Sequence, residues 1–257
     1  MFTPDYLYLA TALFAYMTVW FVVSLYTKRN DTADTAWGLG FVTLAWLSLA
    51  VFQEFHLRSI LVTGLVTIWG TRLAWHIYLR NRHKTEDHRY LEMSKNWGTW
   101  FALRAYAQVF LLQGVLLFLI AQSFLHIANS PASSLTIWDV LGVSIWILGF
   151  YFESTGDAQL ARFKKNPENA GKIMQTGLWQ YTRHPNYFGE VTQWWGIYVL
   201  ALATANGWQT IISPLTITIL ICFVSGVPLL EKKYAGRADF AAYKKSTSIF
   251  FPWPPRK

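Results

Sequence analysis

The stretch Gly177–Glu190 reads Gly-Leu-Trp-Gln-Tyr-Thr-Arg-His-Pro-Asn-Tyr-Phe-Gly-Glu. It sets an arginine, a histidine, an asparagine, two tyrosines and a glutamate at the mouth of an apolar run from Tyr187 to Ala205. Such groups bind anions and amides and carry protons. Pro185 suits the first turn of a helix, where its missing N–H would have had no intrahelical partner. Asn186 and Glu190 then share one face, which Gln193 and Trp194 continue. A carboxylate more than a turn inside a membrane helix is costly without a partner. A polar ligand or a protein cation is therefore expected there.

Two further clusters carry the same kind of chemistry. Arg72, His76 and Arg80 repeat every four residues and form a stripe on one helix face. Arg72 lies too deep in its apolar run to snorkel out easily, which predicts a functional or cofactor-facing role over a structural ion pair. The stripe leads into Arg80-Asn81-Arg82-His83-Lys84-Thr85-Glu86-Asp87-His88-Arg89-Tyr90. Glu153 and Asp157 stand one turn apart, ahead of Arg162, Lys164 and Lys165. Asp34 reads equally as a helix N-cap or as a site residue. The histidines have no matching cysteine or carboxylate ligand set, so no metal is expected.

The elements that must position these groups follow from composition. The chain has 257 residues, 53% hydrophobic and 18% aromatic, with 14 tryptophans and only 14% charged residues. Its apolar residues come in blocks rather than stripes, which predicts an all-α, polytopic membrane helix bundle forming one domain over residues 1–257. Seven segments approach the roughly 20 apolar residues a span needs: 6–26, 36–52, 60–79, 105–125, 137–154, 187–204 and 210–230. The first has no basic flank or cleavage site and reads as a span, not a removable signal.

Of the 22 lysines and arginines, all but Arg58 and Arg72 fall in the first, third and fifth loops and in the tail 231–257. The positive-inside rule then puts the N-terminus outside and the C-terminus in the cytosol. The net charge of +8 thus reports orientation, and nucleic acid is not an expected partner. Cys222 reads as a small buried hydrophobe. Gly38 and Gly40 do not form a dinucleotide-binding GxGxxG, but they permit close helix approach. The tail reads as a short interfacial amphipathic helix with a proline-rich end. Every polar cluster falls on the cytosolic side. The economical reading is a cytosol-facing cavity for a large charged cofactor, with a lipophilic substrate entering from the bilayer.

Gly177–Glu190, with its Arg183-His184-Pro185-Asn186-Tyr187 core, resembles the signature of steroid 5-alpha-reductase-like membrane proteins. Asp34-Thr35-Ala36-Trp37-Gly38-Leu39-Gly40-Phe41, Glu86-Asp87-His88-Arg89-Tyr90 and the tail from Tyr243 to Pro255 resemble an uncharacterised bacterial branch. The resemblance implies a seven-helix bundle that holds NADPH and reduces a carbon–carbon double bond conjugated to a ketone. The short loops and tail suit a bacterial inner membrane, and a monomer is expected. Asn186 and Glu190 would hold the nicotinamide end, Asp157 and Arg162 the nucleotide portion, and Arg80 would lie near the phosphates. The wider cofactor set is Asp34, Trp37, Arg72, Lys164, Tyr181, Arg183, His184, Tyr187 and Tyr243. The family's Gln-Glu acid pair in span two is replaced here by Gly40 and Phe41, which leaves Tyr78, His76 and Glu54 as proton donors. The Arg-His-Pro-Asn-Tyr core also resembles isoprenylcysteine carboxyl methyltransferases, which use S-adenosylmethionine. That reading, and a non-catalytic lipid binder or transporter, stand beside the reductase.

Overall fold

The computed structural model describes residues 4–82 and 96–256. The Glu86-Asp87-His88-Arg89-Tyr90 motif lies outside them. The long elements are α1 (Pro4–Thr27), α2 (Thr32–Phe52), α3 (Leu57–Asn81), α4 (Leu112–Ala128), α5 (Ile137–Lys165) and α6 (Pro185–Ala201). Three shorter helices follow: α7 (Ile212–Ile219), α8 (Val227–Lys233) and α9 (Ala238–Ser246). Among the described residues the only β-type pairing is one isolated bridge, Thr182 to Ser248.

Among the described residues, six helical stretches are long and apolar enough to cross a bilayer: Pro4–Thr27, Thr32–Phe52, Leu57–Asn81, Gly98–Ala128, Ile137–Lys165 and Gly207–Lys233. The expected count was seven. The helix at 187–204 is α6, whose 17 residues rise only about 26 Å against a hydrocarbon layer of about 30 Å.

Helix ends explain the other differences from the sequence reading. Asp31, not Asp34, occupies the N-cap position of α2, and Asp34 sits inside the first turn, where its charge complements the helix dipole. The Asp31 carboxylate accepts from Arg29 Nε at 2.9 Å and Nη2 at 2.6 Å. α5 starts on a reciprocal cap between Thr136 and Asp139 and runs well past the apolar segment. No breaker interrupts it until Asn166-Pro167, and Arg162, Lys164 and Lys165 suit its C-terminal dipole.

The chain divides into two compact units. The first, 1–135 with 204–210, holds α1 to α4. Tyr16 of α1 donates to Ala36 O of α2 at 2.9 Å. At the far end of α3, Arg58 is buried, and its guanidinium donates to Ser133 Oγ at 2.6 Å and Ser134 O at 2.9 Å. Those bonds offset the desolvation of a fully enclosed cation. His56 caps α3, with Nδ1 accepting from Ser59 N and Nε2 facing Ser130 O at 3.0 Å.

The second unit, 136–203 with 211–257, is built on α5 and α6, which run antiparallel. Glycines recur every seven residues on both: Gly142, Gly149 and Gly156 on α5, Gly189 and Gly196 on α6. A methyl group at Gly149 would lie 2.6 Å from both Gln193 N and Gly189 O, and one at Gly196 would lie 2.7 Å from Gly142 O. The two backbones touch, as small residues permit in lipid, where no hydrophobic effect drives helices together.

Candidate functional site

Where α5 and α6 touch, polar side chains from the two helices pair across the seam. Gln193 Nε2 donates to Glu153 Oε2 at 2.5 Å, and Asn186 Nδ2 donates to Asp157 Oδ1 at 3.1 Å. Glu153, Asp157 and Gln193 are buried and Asn186 is half-buried. Carboxylates only accept, so they fix the orientation of each amide. That leaves the two amide oxygens facing away from their carboxylates. Asn186 Oδ1 and Gln193 Oε1 are buried and have no hydrogen-bond partner among the described residues. A buried carbonyl without a donor is costly. Two of them lie on one helix, spaced two turns apart, where N–H or O–H groups that the described residues do not supply would satisfy them.

The approach to α6 is held by a second polar cluster. Gly177 adopts φ +65°, which lets Leu178 N donate to Gln159 Oε1 at 2.9 Å. Trp179 Nε1 donates to Gly156 O at 3.1 Å. Arg183 then forks onto Glu231, Nε to Oε1 at 2.9 Å and Nη2 to Oε2 at 3.1 Å, and its Nη1 donates to Thr247 O at 2.6 Å. His184 Nε2 faces Glu231 Oε1 at 3.1 Å. Burial holds the His184 imidazole below its ordinary pKa against the opposing pull of Glu231. The ring is therefore neutral at pH 7, with its proton on Nε2 toward the carboxylate. Nδ1 is left as a buried acceptor with no partner among the described residues. Tyr187 stacks on His184 with ring centroids 5.8 Å apart. The Tyr243 hydroxyl donates to Trp179 O, and burial pushes its phenol pKa up.

The second unit thus gathers Asp157, Arg183, His184, Asn186, Tyr187, Glu190 and Tyr243 from the expected set, all along α5, α6 and the tail that braces them. Glu190 is half-buried one turn after Asn186, and Tyr181, Arg162 and Lys164 are exposed. The first unit holds the others. Asp34 and Trp37 lie in the first turns of α2, and Trp37 packs edge-on against Phe41 at 5.2 Å. Arg72 and His76 are half-buried on α3, with Arg80 exposed and bonded to Asn81 Oδ1 at 3.1 Å. Tyr78 is 49% exposed beside Trp75. Glu54 precedes α3 while Tyr78 is near its end, so roughly 30 Å of helix separates these two candidate acids. They cannot serve one reacting atom together.

Three participants lie outside the sequence-derived site set. Gln193 was legible as part of the Asn186 face, and Glu153 as the residue a turn before Asp157. Glu231 has no such signal: it lies 47 residues from His184 along the chain, and only the folded tail brings it there.

Comparison with known proteins gives concordant results. The family described as "Protein of unknown function (DUF1295)" matches residues 20–247. An uncharacterized protein of Schizosaccharomyces pombe is 21% identical over 90% of this chain and 74% of its own length. The 3-oxo-5-alpha-steroid 4-dehydrogenase 1 of Bos taurus is 37% identical over 26% of each chain. The steroid 5-alpha-reductase DET2 of Arabidopsis thaliana is 35% identical, again over 26% of each. The chain therefore matches about a quarter of the length of these two reductases. No solved structure matches it significantly.

Proposed function

The chain belongs to the DUF1295 family, which is the steroid 5-alpha-reductase-like family, and on that footing we propose that it is an NADPH-dependent membrane reductase. Its substrate is a lipophilic, steroid-like molecule with a carbon–carbon double bond conjugated to a ketone. Relatives named as steroid reductases support the reaction class. Bilayer-length helices support delivery of the substrate from the membrane.

The observation that carries the cofactor assignment is the pair of orphaned acceptors on α6. Asn186 Oδ1 fits an amide N–H donor such as the nicotinamide carboxamide offers, and Asp157 holds Asn186 in the orientation that presents it. Glu190, one turn on, takes a second donor. Arg162 and Lys164, exposed at the end of α5, supply charge for phosphates. Arg183 and His184 hold the approach to α6 through Glu231 rather than offering free donors. Bound on this surface, the cofactor would supply hydride chemistry for the β-carbon of an enone. A hydrogen bond to the ketone oxygen would stabilise the negative charge that develops there, and a proton at the α-carbon would complete the saturated ketone.

The test is ligand-dependent thermal stabilisation of the detergent-purified protein with NADPH, NADH and S-adenosylmethionine, since a ligand of the native state raises its melting temperature. NADPH should stabilise the wild type, while Asn186→Ala and Glu190→Ala remain folded and lose the shift. Stabilisation by S-adenosylmethionine alone would make the protein a methyltransferase instead.

A further inference from the structure

The C-terminal segment folds back on itself and lines a half-open cavity of about 480 Å³. Arg256 N donates to Ser246 O at 2.8 Å and closes the loop. Trp253 N donates to Tyr181 O at 3.0 Å, and Arg183 N to Ser248 O at 2.9 Å, tying the loop to the approach of α6. Pro252, Pro254 and Pro255 restrict the backbone and give up no donor that a neighbour needs. The walls are therefore held in place before any ligand arrives.

The polar groups lining this cavity divide into two classes. Arg183 is engaged by Glu231 and Thr247 O. Lys244 lies 3.5 Å from Glu231 and over the Phe240 ring. The Ser246 and Thr247 hydroxyls donate to Tyr243 O and Gln180 O. Lys245, Ser248 and Arg256 also line the cavity, and their side chains have no partner among the described residues. Two uncompensated cations and a hydroxyl thus line one half-open space. Phe251 and Trp253 complete the wall and are 70% and 68% exposed.

This combination has one natural setting. α8 ends at Lys233, which is also the end of a bilayer-length stretch, and the cavity is built from residues that follow within a short distance of chain. Exposed tryptophan beside lysine and arginine is the composition of the membrane–water boundary. A guanidinium, an ammonium and a hydroxyl together match the oxygens of a phosphate ester. We propose that the cavity binds the phosphate of an anionic phospholipid from the bilayer around the protein. Lys245, Ser248 and Arg256 are its donors, and Phe251 and Trp253 lie against the lipid's backbone and upper chain. This site is separate from the orphaned acceptors of α6 and does not depend on the reductase reading.

The experiment uses the full-length protein in detergent, with short-chain phosphatidylglycerol or phosphatidylcholine titrated in and binding read by native mass spectrometry and thermal shift. Phosphatidylglycerol should bind more tightly than phosphatidylcholine. Lys245→Ala with Arg256→Ala should erase that preference, a loss of roughly tenfold or more for two cations. Lys232→Ala with Lys233→Ala removes the same charge from exposed positions on α8 and should leave the preference intact. Ser248→Ala should weaken it less, with no change in melting temperature in phosphatidylcholine. Equal binding of the two lipids, or equal loss in both double variants, would overturn the site in favour of diffuse surface charge. A third arm titrates NADPH and 2′-phosphoadenosine 5′-phosphate. If these bind and the Lys245/Arg256 variant alone loses them while lipid preference is unaffected, the phosphate comes from a nucleotide and the lipid assignment is wrong.

Discussion

Glu231→Ala removes the carboxylate that Arg183, His184 and Lys244 share. The Arg183 and Glu231 side chains are only 6% and 14% exposed, so the variant strands a buried guanidinium. Removing one partner of a buried ion pair costs about 3–5 kcal/mol, because the remaining charge stays desolvated. Arg183 keeps its bond to Thr247 O and its position 6.0 Å from the Phe240 ring centre, which argues for the lower end. Lys244 is half exposed, and its pairing adds little. A loss of about 3 kcal/mol corresponds to a fall of roughly 6–12 °C in melting temperature for a chain of this size. The assay is thermal unfolding of the detergent-purified variant followed by tryptophan fluorescence. A double variant, Arg183→Met with Glu231→Leu, removes both charges and their desolvation penalty together, and should melt higher than Glu231→Ala. If Glu231→Ala melts within about 1 °C of wild type, or the double variant melts lower still, the pair does not brace the tail as described.

Gly149→Ala should lose about 1–3 kcal/mol through overpacking, because its methyl group meets Gln193 N and Gly189 O, which are backbone and cannot move aside. Gly64→Ala, with nothing within 4 Å, should be neutral or gain about 0.5–1 kcal/mol from helix propensity; equal melting of the two variants would remove the case for the glycine seam. His184 binds its proton less readily when folded than at its ordinary pKa of 6.5. Its contribution is therefore full above about pH 6.5, falls as the pH drops toward the folded value, and is flat below that. His184→Gln should accordingly show a shallower acid-side loss of melting temperature than wild type, and an identical slope would mean that His184 is not the titrating group. Tyr243→Phe leaves the Trp179 carbonyl without its donor and should cost about 1–3 kcal/mol, read as a lower melting temperature.

The sequence was most legible where a rule acts locally. Pro185 is the first residue of α6, Asn166-Pro167 ends α5, and Asn186 shares a face with Gln193, each for reasons that span only one or two turns. Asp34 reads equally as a cap or a site residue in the sequence; the helix instead starts one residue after Asp31, which leaves Asp34 inside the first turn. The partnership of Arg183 with Glu231 was not legible. A buried arginine demands an anion, but nothing in spacing says which of several distant carboxylates will supply it. The seven-residue glycine pattern on α5 and α6 is written plainly in the sequence, yet it acquires meaning only when the two helices are known to face each other.

That glycine pattern is also degenerate. In the observed alignment Gly149 lies against Gly189 and Gly142 against Gly196. Sliding one helix by a single heptad, about 10.5 Å, would set Gly149 against Gly196 and Gly156 against Gly189, again two contacts. Close packing alone therefore admits two alignments of nearly equal quality. The pairs Glu153–Gln193 and Asp157–Asn186 form in only one of them, and lipid exacts a heavy penalty for leaving such groups apart. The same side chains that carry the two unpaired oxygens thus act as a vernier lock: they choose one sliding position, and the helix alignment and the placement of those oxygens are selected in a single step.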